Sequence, residues 1–225
     1  MNTTELFNQI ASGYDRANRI LSFGQDMRWR RLVAKHVPTE KPCVLLDLAT
    51  GTGDQIITLF NQGIAIEKAV GIDLSQGMLN IARKKLEKYG DRVLLQEANV
   101  EEIPFEDQSF DLCTFSFGIR NVQNPLAALA EMRRVTKPGG CCLILEFAPP
   151  RGWFRKPYLF YLRTLLPLIG GFLTRRPSAY RYLNQSIEGY ASPELFLSWM
   201  SQTGWNHPTV IPLLFGTVML YRADV

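Results

Sequence analysis

The chain has 225 residues, 46% of them apolar, with a formal net charge of +4. That length suits one domain, or one domain carrying an insertion, and the apolar share is ample for a packed core, which excludes a disordered or fibrous chain. Four cysteines without Cys-x-x-Cys spacing and two distant histidines, His36 and His207, argue against a disulfide framework or a metal cluster, so no metal site is expected.

The first residues, Met1–Glu5, lack the basic and apolar regions of a secretory signal, which points to a cytoplasmic location. Residues 5–37 read as helical, with a polar stretch around Ser12–Asn18 and a break at Ser22-Phe23-Gly24. An extra segment of this kind ahead of a sheet suits a cover over a ligand. Pro38 and Pro42 bracket a linker to the first strand.

Val44–Leu48 is a nearly continuous apolar run, as expected of a strand buried on both faces of a parallel sheet. It breaks into Gly51-Thr52-Gly53-Asp54, and a helical pattern follows from Gln55 to Asn61. Strand, glycine turn and helix N-terminus together make a nucleotide site, because glycine admits close backbone approach and the helix presents unpaired N–H groups. The second strand, Ala69–Asp73, ends in a carboxylate 20 residues after Gly53, where a ribose-binding acid sits in such folds. A dinucleotide fingerprint would require a third glycine, and Ile56 stands there instead. Asp54 at the helix start repels a pyrophosphate and attracts the cationic amino group of a methionine. The residues therefore favour S-adenosylmethionine over NAD.

Ser75 caps a helix expected to run to Tyr89, with Gly90 as its stop. The third strand, Val93–Gln96, leads to Asn99-Val100 and then an acidic loop over Glu101–Gln108. The fourth, Phe110–Phe115, ends at Ser116, and Arg120-Asn121 follow closely. Asn124 and Pro125 start a helix running to Val135, and Lys137-Pro138-Gly139-Gly140 separates it from the fifth strand, Cys141–Phe147. Adjacent Cys141 and Cys142 point to opposite faces of that strand. Strands alternating with helices predict a doubly wound, mostly parallel Rossmann-like α/β sheet, with its ligand at the strand tips Asp47, Asp73, Asn99, Ser116 and Glu146.

Between Arg151 and Ile187 there are seven cations and no acid, more than the whole net excess, so the basicity belongs to one segment. Its aromatics and arginines suit a bilayer interface, while the apolar run Leu165–Leu173 is too short to span one and is broken by Pro167 and Gly170-Gly171. A helix from Ser192-Pro193-Glu194 to Gly204 and two last strands, Trp205–Leu213 and Gly216–Arg222, read as a closing antiparallel hairpin.

These residues make the chain resemble the ubiquinone/menaquinone biosynthesis C-methyltransferases, a class I S-adenosylmethionine-dependent family. The carriers are Tyr14-Asp15 with Asn18, Ser22-Phe23-Gly24, Asp47–Asp54, Gly71-Ile72-Asp73 and Asn99-Val100-Glu101 with Pro104-Phe105. Further on come Ser116–Val122, Lys137–Gly140, Leu145-Glu146-Phe147 and Tyr180-Arg181-Tyr182-Leu183. The glycine turn and Lys-Pro-Gly-Gly are common among methyltransferases; the Ser-Phe-Gly-Ile-Arg-Asn-Val and Tyr-Arg-Tyr-Leu stretches are far more specific. The chain departs from the family at Gln185 (usually Glu), at Trp205 (commonly Phe), and in Met219–Arg222, which lacks the usual histidine and glycine.

The resemblance implies one methyltransferase domain: a helical cover over 1–40, a cofactor-binding core over 41–147, the basic apolar insertion over 148–190, and a terminal helix and hairpin over 191–225. It implies contacts to S-adenosylmethionine from Thr52, Asp73, Asn99, Val100 and Ser116, to which the glycine-turn reading adds Gly51 and Gly53. It implies methylation of a ring carbon on a prenylated quinol, demethylmenaquinol first and 2-polyprenyl-6-methoxy-1,4-benzoquinol as the alternative. The reduced ring is required, because a quinol that loses a hydroxyl proton pushes charge onto the carbon that attacks the methyl group. Arg120 and Asn121 suit the task of holding that oxygen, with Tyr14 completing a water network. Arg120 acts there as a permanent cation, since its pKa exceeds about 12. Asp15 is expected either to pair with an arginine or to take part in the chemistry. The partners expected are the quinol and a peripheral membrane contact through 151–176 at the inner face of the cell membrane, with a homodimer also among the readings. Nucleic acid is not expected, since the basic segment is too apolar for an RNA surface. A non-catalytic quinone- or lipid-binding scaffold is the competing reading from another class.

Overall fold

The structure is a computed structural model that describes residues 3–38, 41–149, 151–174 and 177–225; the side chains at 172–174 and 177–180 stand outside that description. Arg175 and Arg176 of the basic segment therefore lie outside the described residues.

The first strand, β1 (Cys43–Leu48), is central because Leu45, Leu46, Asp47 and Leu48 are all buried and only a position flanked on both sides satisfies them. It pairs in parallel with β2 (Ile66–Asp73) on one side and β4 (Phe110–Ser116) on the other. β3 (Val93–Glu97) and β5 (Thr136–Phe147) extend these flanks in parallel. β7 (Val218–Asp224) adds antiparallel to β5, and β6 (Asn206–Leu213) adds antiparallel to β7, giving the order β3-β2-β1-β4-β5-β7-β6. The strand order reverses between β1 and β4. In open sheets of this kind the ligand crevice lies outside the carboxyl ends of the strands at that reversal.

Two apolar layers sandwich the sheet. On one face α5 (Pro125–Val135) and α9 (Pro193–Gln202) pack Leu129, Met132, Phe196 and Met200 against Phe115, Cys142 and Tyr221. On the other, α2 (Gln25–Lys35), α3 (Asp54–Asn61) and α4 (Gln76–Leu86) pack Trp29, Val33, Ile56, Leu59 and Leu86 against Leu45, Cys141 and Leu143. Cys141 and Cys142 thus divide between the two faces, and all four cysteines are free and buried. A third cluster joins α1 (Thr3–Leu21) through Leu6, Ile10 and Leu21 to Tyr158 of α6 (Arg155–Phe160), Leu162, Leu166 of α7 (Leu166–Thr174) and Ile187 of α8 (Pro177–Glu188). That cluster sits over the strand tips and roofs the crevice.

Three boundaries differ from the sequence reading. β5 begins at Thr136, since Thr136 pairs with Phe110 and a register irregularity absorbs the Lys-Pro-Gly-Gly bend. α4 ends at Leu86 and a 3-10 turn over Glu87–Arg92 follows, broken at Gly90 (φ 57°, ψ −138°). Leu166–Thr174 is helical despite Pro167. Proline cannot donate to the carbonyl four residues back, and the turn just before it, Tyr161–Leu165, is a π-turn. Among the described residues no helix is long and apolar enough to cross a membrane.

Candidate active site

A cavity of about 500 Å³ opens at the carboxyl ends of β1, β2 and β4. Its volume lies within the usual range for small-molecule sites, about 300–1,000 Å³. The turn after β1 shapes one wall. Gly51 and Gly53 both take positive φ (57° and 82°), and a Cβ at Gly53 would stand 2.6 Å from Leu86 Cδ1. A Cβ at Gly51 would meet nothing nearer than 4.0 Å, so that backbone is bare on the cavity side. Ala49 (φ 47°) and Phe117 (φ 60°), just past the tips of β1 and β4, are held in the left-handed region although neither is glycine, and both line the cavity. Such strain persists where surrounding structure imposes it, commonly at ligand sites.

Asp73 accepts from the Gly51 and Ser75 N–H groups, each at 2.8 Å. Burial nevertheless pushes its pKa up, the backbone donors offsetting only part of the effect. Asn99 accepts from Glu101 N–H (3.0 Å), Val100 is buried, and the Ser116 hydroxyl donates to Gln55 Oε1 (3.1 Å). The cavity is lined by Gly51, Thr52, Asp73, Asn99, Val100 and Ser116; Gly53 supports it from beneath as the residue that caps α3.

Two further charged groups share this cavity, Asp47 at a strand tip already named and Arg30, which the sequence did not single out. Asp47, 1% exposed, accepts from the hydroxyls of Thr50 and Thr114, both at 2.6 Å. Burial pushes its pKa up to about 6, against the pull of the two hydroxyls and of Arg30; Asp73 pushes the same way as burial. Arg30, on the inner face of α2, is 9% exposed and contacts Gln55 Oε1 at 3.5 Å, with its guanidinium 5.5 Å from the Phe117 ring centroid. The Arg30 Nε and the Gln55 Nε2 are buried and unpartnered.

The helical cover is fastened by a chain of charges. Lys85 of α4 donates to Asp15 (2.7 Å), Thr52 Oγ1 (3.1 Å) and Asp54 (2.5 Å); Arg19 donates to Asp54 (2.7 Å) and also pairs with Asp26. The Thr52 hydroxyl donates to Asp15 at 2.6 Å. Asp15 therefore pairs with a lysine, where the sequence suggested an arginine. Asp54 stands among three cations. Burial alone would raise its pKa, but Arg30, Lys85 and Arg19 hold it below the ordinary value. Asp54 also lines the cavity.

A second cavity, about 350 Å³, lies beneath the third apolar cluster and is lined mostly by apolar and aromatic side chains, with Asp26, Arg30 and Arg120 among the exceptions. Phe7, Tyr14, Arg30 and Phe117 line both cavities, so the two meet there. Trp29, Phe117 and Phe147 form an aromatic wall, with Phe117 and Phe147 centroids 4.7 Å apart. Arg120 lines this cavity and lies 5.3 Å from the Phe147 centroid. It donates to Glu146 Oε1 (2.7 Å) and Phe117 O (2.6 Å), and Glu146 is fully buried. Burial alone would lower the Arg120 pKa, but Glu146, then Tyr14 and Tyr182, raise it, so the cation is permanent. Asn121 lines the first cavity and accepts from the Tyr182 hydroxyl at 3.0 Å. The three residues singled out for chemistry thus gather at the junction: Tyr14 on both sides, Asn121 on the polar side, Arg120 on the apolar side. Among the described residues no cluster of three His, Cys, Asp or Glu is arranged to hold a metal.

Comparison with known proteins fits this arrangement. A model of the ubiE/COQ5 methyltransferase family matches residues 1–223. The ubiquinone/menaquinone biosynthesis C-methyltransferase UbiE of Geobacter sulfurreducens is 40% identical over 223 residues, covering 98% of this chain and 87% of its own. The demethylmenaquinone methyltransferase of Thermus thermophilus is 40% identical over 220 residues, covering 97% and 99%. A solved SAM-dependent methyltransferase of Thermotoga maritima superposes with a TM-score of 0.70 at 18% identity over 98% of each chain. A phosphoethanolamine N-methyltransferase of Haemonchus contortus, solved with S-adenosyl-L-methionine, gives 0.61 at 20% identity over 84% of this chain and 38% of its own.

Proposed function

The chain belongs to the ubiE/COQ5 methyltransferase family, and on that premise we propose that it methylates a ring carbon of a prenylated quinol, converting demethylmenaquinol to menaquinol. The observation that carries this reading is the meeting of a polar cavity at the strand tips with an apolar, aromatic-walled one at Phe7, Tyr14, Arg30 and Phe117. S-adenosylmethionine is the methyl donor; when bound it supplies an electrophilic methyl carbon on a positively charged sulfur. The bare backbone at Gly51 and the 500 Å³ volume fit it.

Gly51, Thr52, Gly53, Asp73, Asn99, Val100 and Ser116 are the residues proposed to hold the donor. Asp73 has oxygens to accept from ribose hydroxyls, and Asn99 and Val100 flank the place of an adenine ring. The aromatic wall of Trp29, Phe117 and Phe147 is suited to a planar quinol. Arg120, Asn121 and Tyr14 are proposed to hold the quinol oxygen as it loses its proton. Arg120 is a buried cation in a low-dielectric site, where a developing phenolate is stabilised more than in water. The ion pair with Glu146 fixes the guanidinium in place, so no reorganisation is needed when charge develops. We treat the chain as a single catalytic unit with cover 1–40, core 41–147, insertion 148–190 and tail 191–225.

The rim of the apolar cavity favours a lipid source for the substrate. Phe23, Trp153 and Phe215 are 80%, 74% and 63% exposed, and Trp153 packs on Phe154 and Phe215 at 5.4 and 5.7 Å. We propose that this rim rests on the inner face of the membrane and admits the prenyl chain. Its cations do not all face lipid: Arg151 and Arg163 pair with Glu194 and Glu188.

The test is incubation with labelled S-adenosylmethionine and a reduced panel of naphthoquinols and benzoquinols, followed by mass spectrometry. A ring-methylated naphthoquinol is expected; no C-methylated product from any quinol would end the proposal. Flotation with anionic vesicles tests the rim, and the triple change Phe23→Ser, Trp153→Ser, Phe215→Ser should abolish binding.

A further inference from the structure

A hydrogen bond crosses the partition between the two cavities. Tyr182 of α8 lines the apolar one, and Asn121, in the 3-10 turn Ile119–Asn121 after β4, lines the polar one. The Tyr182 hydroxyl donates to Asn121 Oδ1 at 3.0 Å. The Tyr182 ring packs on the third apolar cluster, and its tip reaches out of that cluster to the turn. Phenylalanine would serve the packing alone, so the hydroxyl, costly to desolvate without a partner, acts at Asn121. The Asn121 backbone is already set, its N–H donating to Gly118 O at 3.0 Å. Its side-chain amide is not, because the last torsion of asparagine has two broad wells that exchange oxygen and nitrogen. Tyr182 selects between them. The Arg120 cation and the Tyr182 oxygen act on one another electrostatically. The cation draws the oxygen lone pairs and turns the hydroxyl proton away, toward Asn121. Only Oδ1 can accept that proton, so the amide Nδ2 is turned away from Tyr182. Among the described residues that nitrogen makes no hydrogen bond, which leaves its N–H groups for the cavity that Asn121 lines.

We propose that Tyr182 is a positioning residue for methyl transfer, aiming the Asn121 amide N–H groups at the quinol oxygen that becomes negative. The inference rests on the quinol reading above and deepens it. A developing phenolate needs donors; the opposite amide orientation would set Oδ1 against it and repel it. Tyr182 comes from the insertion and Asn121 from the core, so the docking of α8 on the turn after β4 completes the site.

Single-turnover methylation of a reduced naphthoquinol under argon, followed across pH, tests the contact. Tyr182→Phe keeps the ring and removes the hydroxyl. At pH 7 it should lower the rate about 5- to 10-fold, the range expected of one hydrogen bond. The quinol KM and the affinity for S-adenosylhomocysteine should each stay within about twofold of wild type. Raising the pH by about one unit should recover most of the loss, because the weakened site ionises the quinol at a correspondingly higher pH. A purely structural role gives the same loss at every pH. Asn121→Ala should itself be slow, and adding Tyr182→Phe to it should cost less than about twofold more. An unchanged rate in either single variant, a loss constant with pH, or a full second loss in the double variant would overturn the assignment. A wild-type chain that methylates no quinol ends the quinol reading itself, whereas an active wild type beside an undiminished Tyr182→Phe ends only the role of Tyr182.

Discussion

Replacing Asp47 by Asn should make the protein more stable at neutral pH and a poorer enzyme. Asp47 is buried at the tip of β1, and burial raises its pKa to about 6 from an ordinary value of 3.8. Between those values the folded chain holds a proton that the unfolded chain has released, so stability falls as pH rises. At about 1.36 kcal/mol per pH unit, the roughly two units give about 3 kcal/mol, present below pH 4 and lost above pH 6. Asn carries no charge at any pH and removes that loss. Its amide must face the Thr50 and Thr114 hydroxyls, which can rotate to accept, at a cost of about 1 kcal/mol. The net expectation at pH 7.5 is a gain of about 1–2 kcal/mol, or about 2–8 °C in melting temperature for a chain of this length. At pH 4 the gain should vanish or reverse. Urea unfolding of both proteins at the two pH values measures it, and their difference cancels the other carboxylates. A variant less stable than wild type at pH 7.5, or a difference that does not change with pH, would refute the reasoning. Calorimetry should show weakened S-adenosylmethionine binding alongside the gain, since stability at this position is given up for function.

Glu146→Ala strands the Arg120 guanidinium in the interior and should destabilise the fold by about 3–5 kcal/mol in denaturant unfolding, whereas Glu146→Leu with Arg120→Met should recover most of that. Arg120→Ala should lower single-turnover methylation at least 100-fold while changing S-adenosylmethionine affinity less than about threefold in a binding titration. Gly53→Ala places a Cβ against Leu86 at a φ of 82° and should cost about 2–4 kcal/mol in thermal unfolding. Lys85→Met removes its fastening of the cover through Asp15 and leaves the Thr52–Asp15 and Arg19–Asp54 contacts; because these groups are partly exposed, the stability loss should be only about 1 kcal/mol, but limited proteolysis within residues 3–21 should quicken.

The sheet and its glycine turn were legible because their causes are local. Val44–Leu48 is apolar enough to be buried whatever surrounds it, and Gly51 and Gly53 mark a turn by themselves. Asp73, Asn99 and Ser116 stood out as polar residues ending apolar runs, a pattern that survives without knowledge of packing. Arg30 gave no such sign. On an amphipathic helix with Arg28 and Arg31 beside it, it reads as one more solvated cation, and only the docking of α2 on the sheet puts it inward. Asp54 was legible as a carboxylate at a helix start, but its partners Arg19 and Lys85 lie 35 and 31 residues away and belong to other elements. The start of β5 was missed because glycine and proline conceal a strand whose pairing is set by Phe110. The helix through Pro167 was missed because a break was expected where the chain instead opens one wider turn.

The charged fastening of the cover has a bearing on how the enzyme responds to its medium. Asp15, Lys85 and Arg19 are each about a third exposed, so dissolved ions reach them, and the Debye length of about 10 Å at 0.1 M shrinks to about 3 Å at 1 M. Salt should loosen α1 and α2 long before it disturbs the sheet, shortening the residence time of whatever lies beneath. Where departure of the demethylated donor limits turnover, a moderate rise in ionic strength speeds the enzyme; where capture of fresh donor limits it, the same rise slows it.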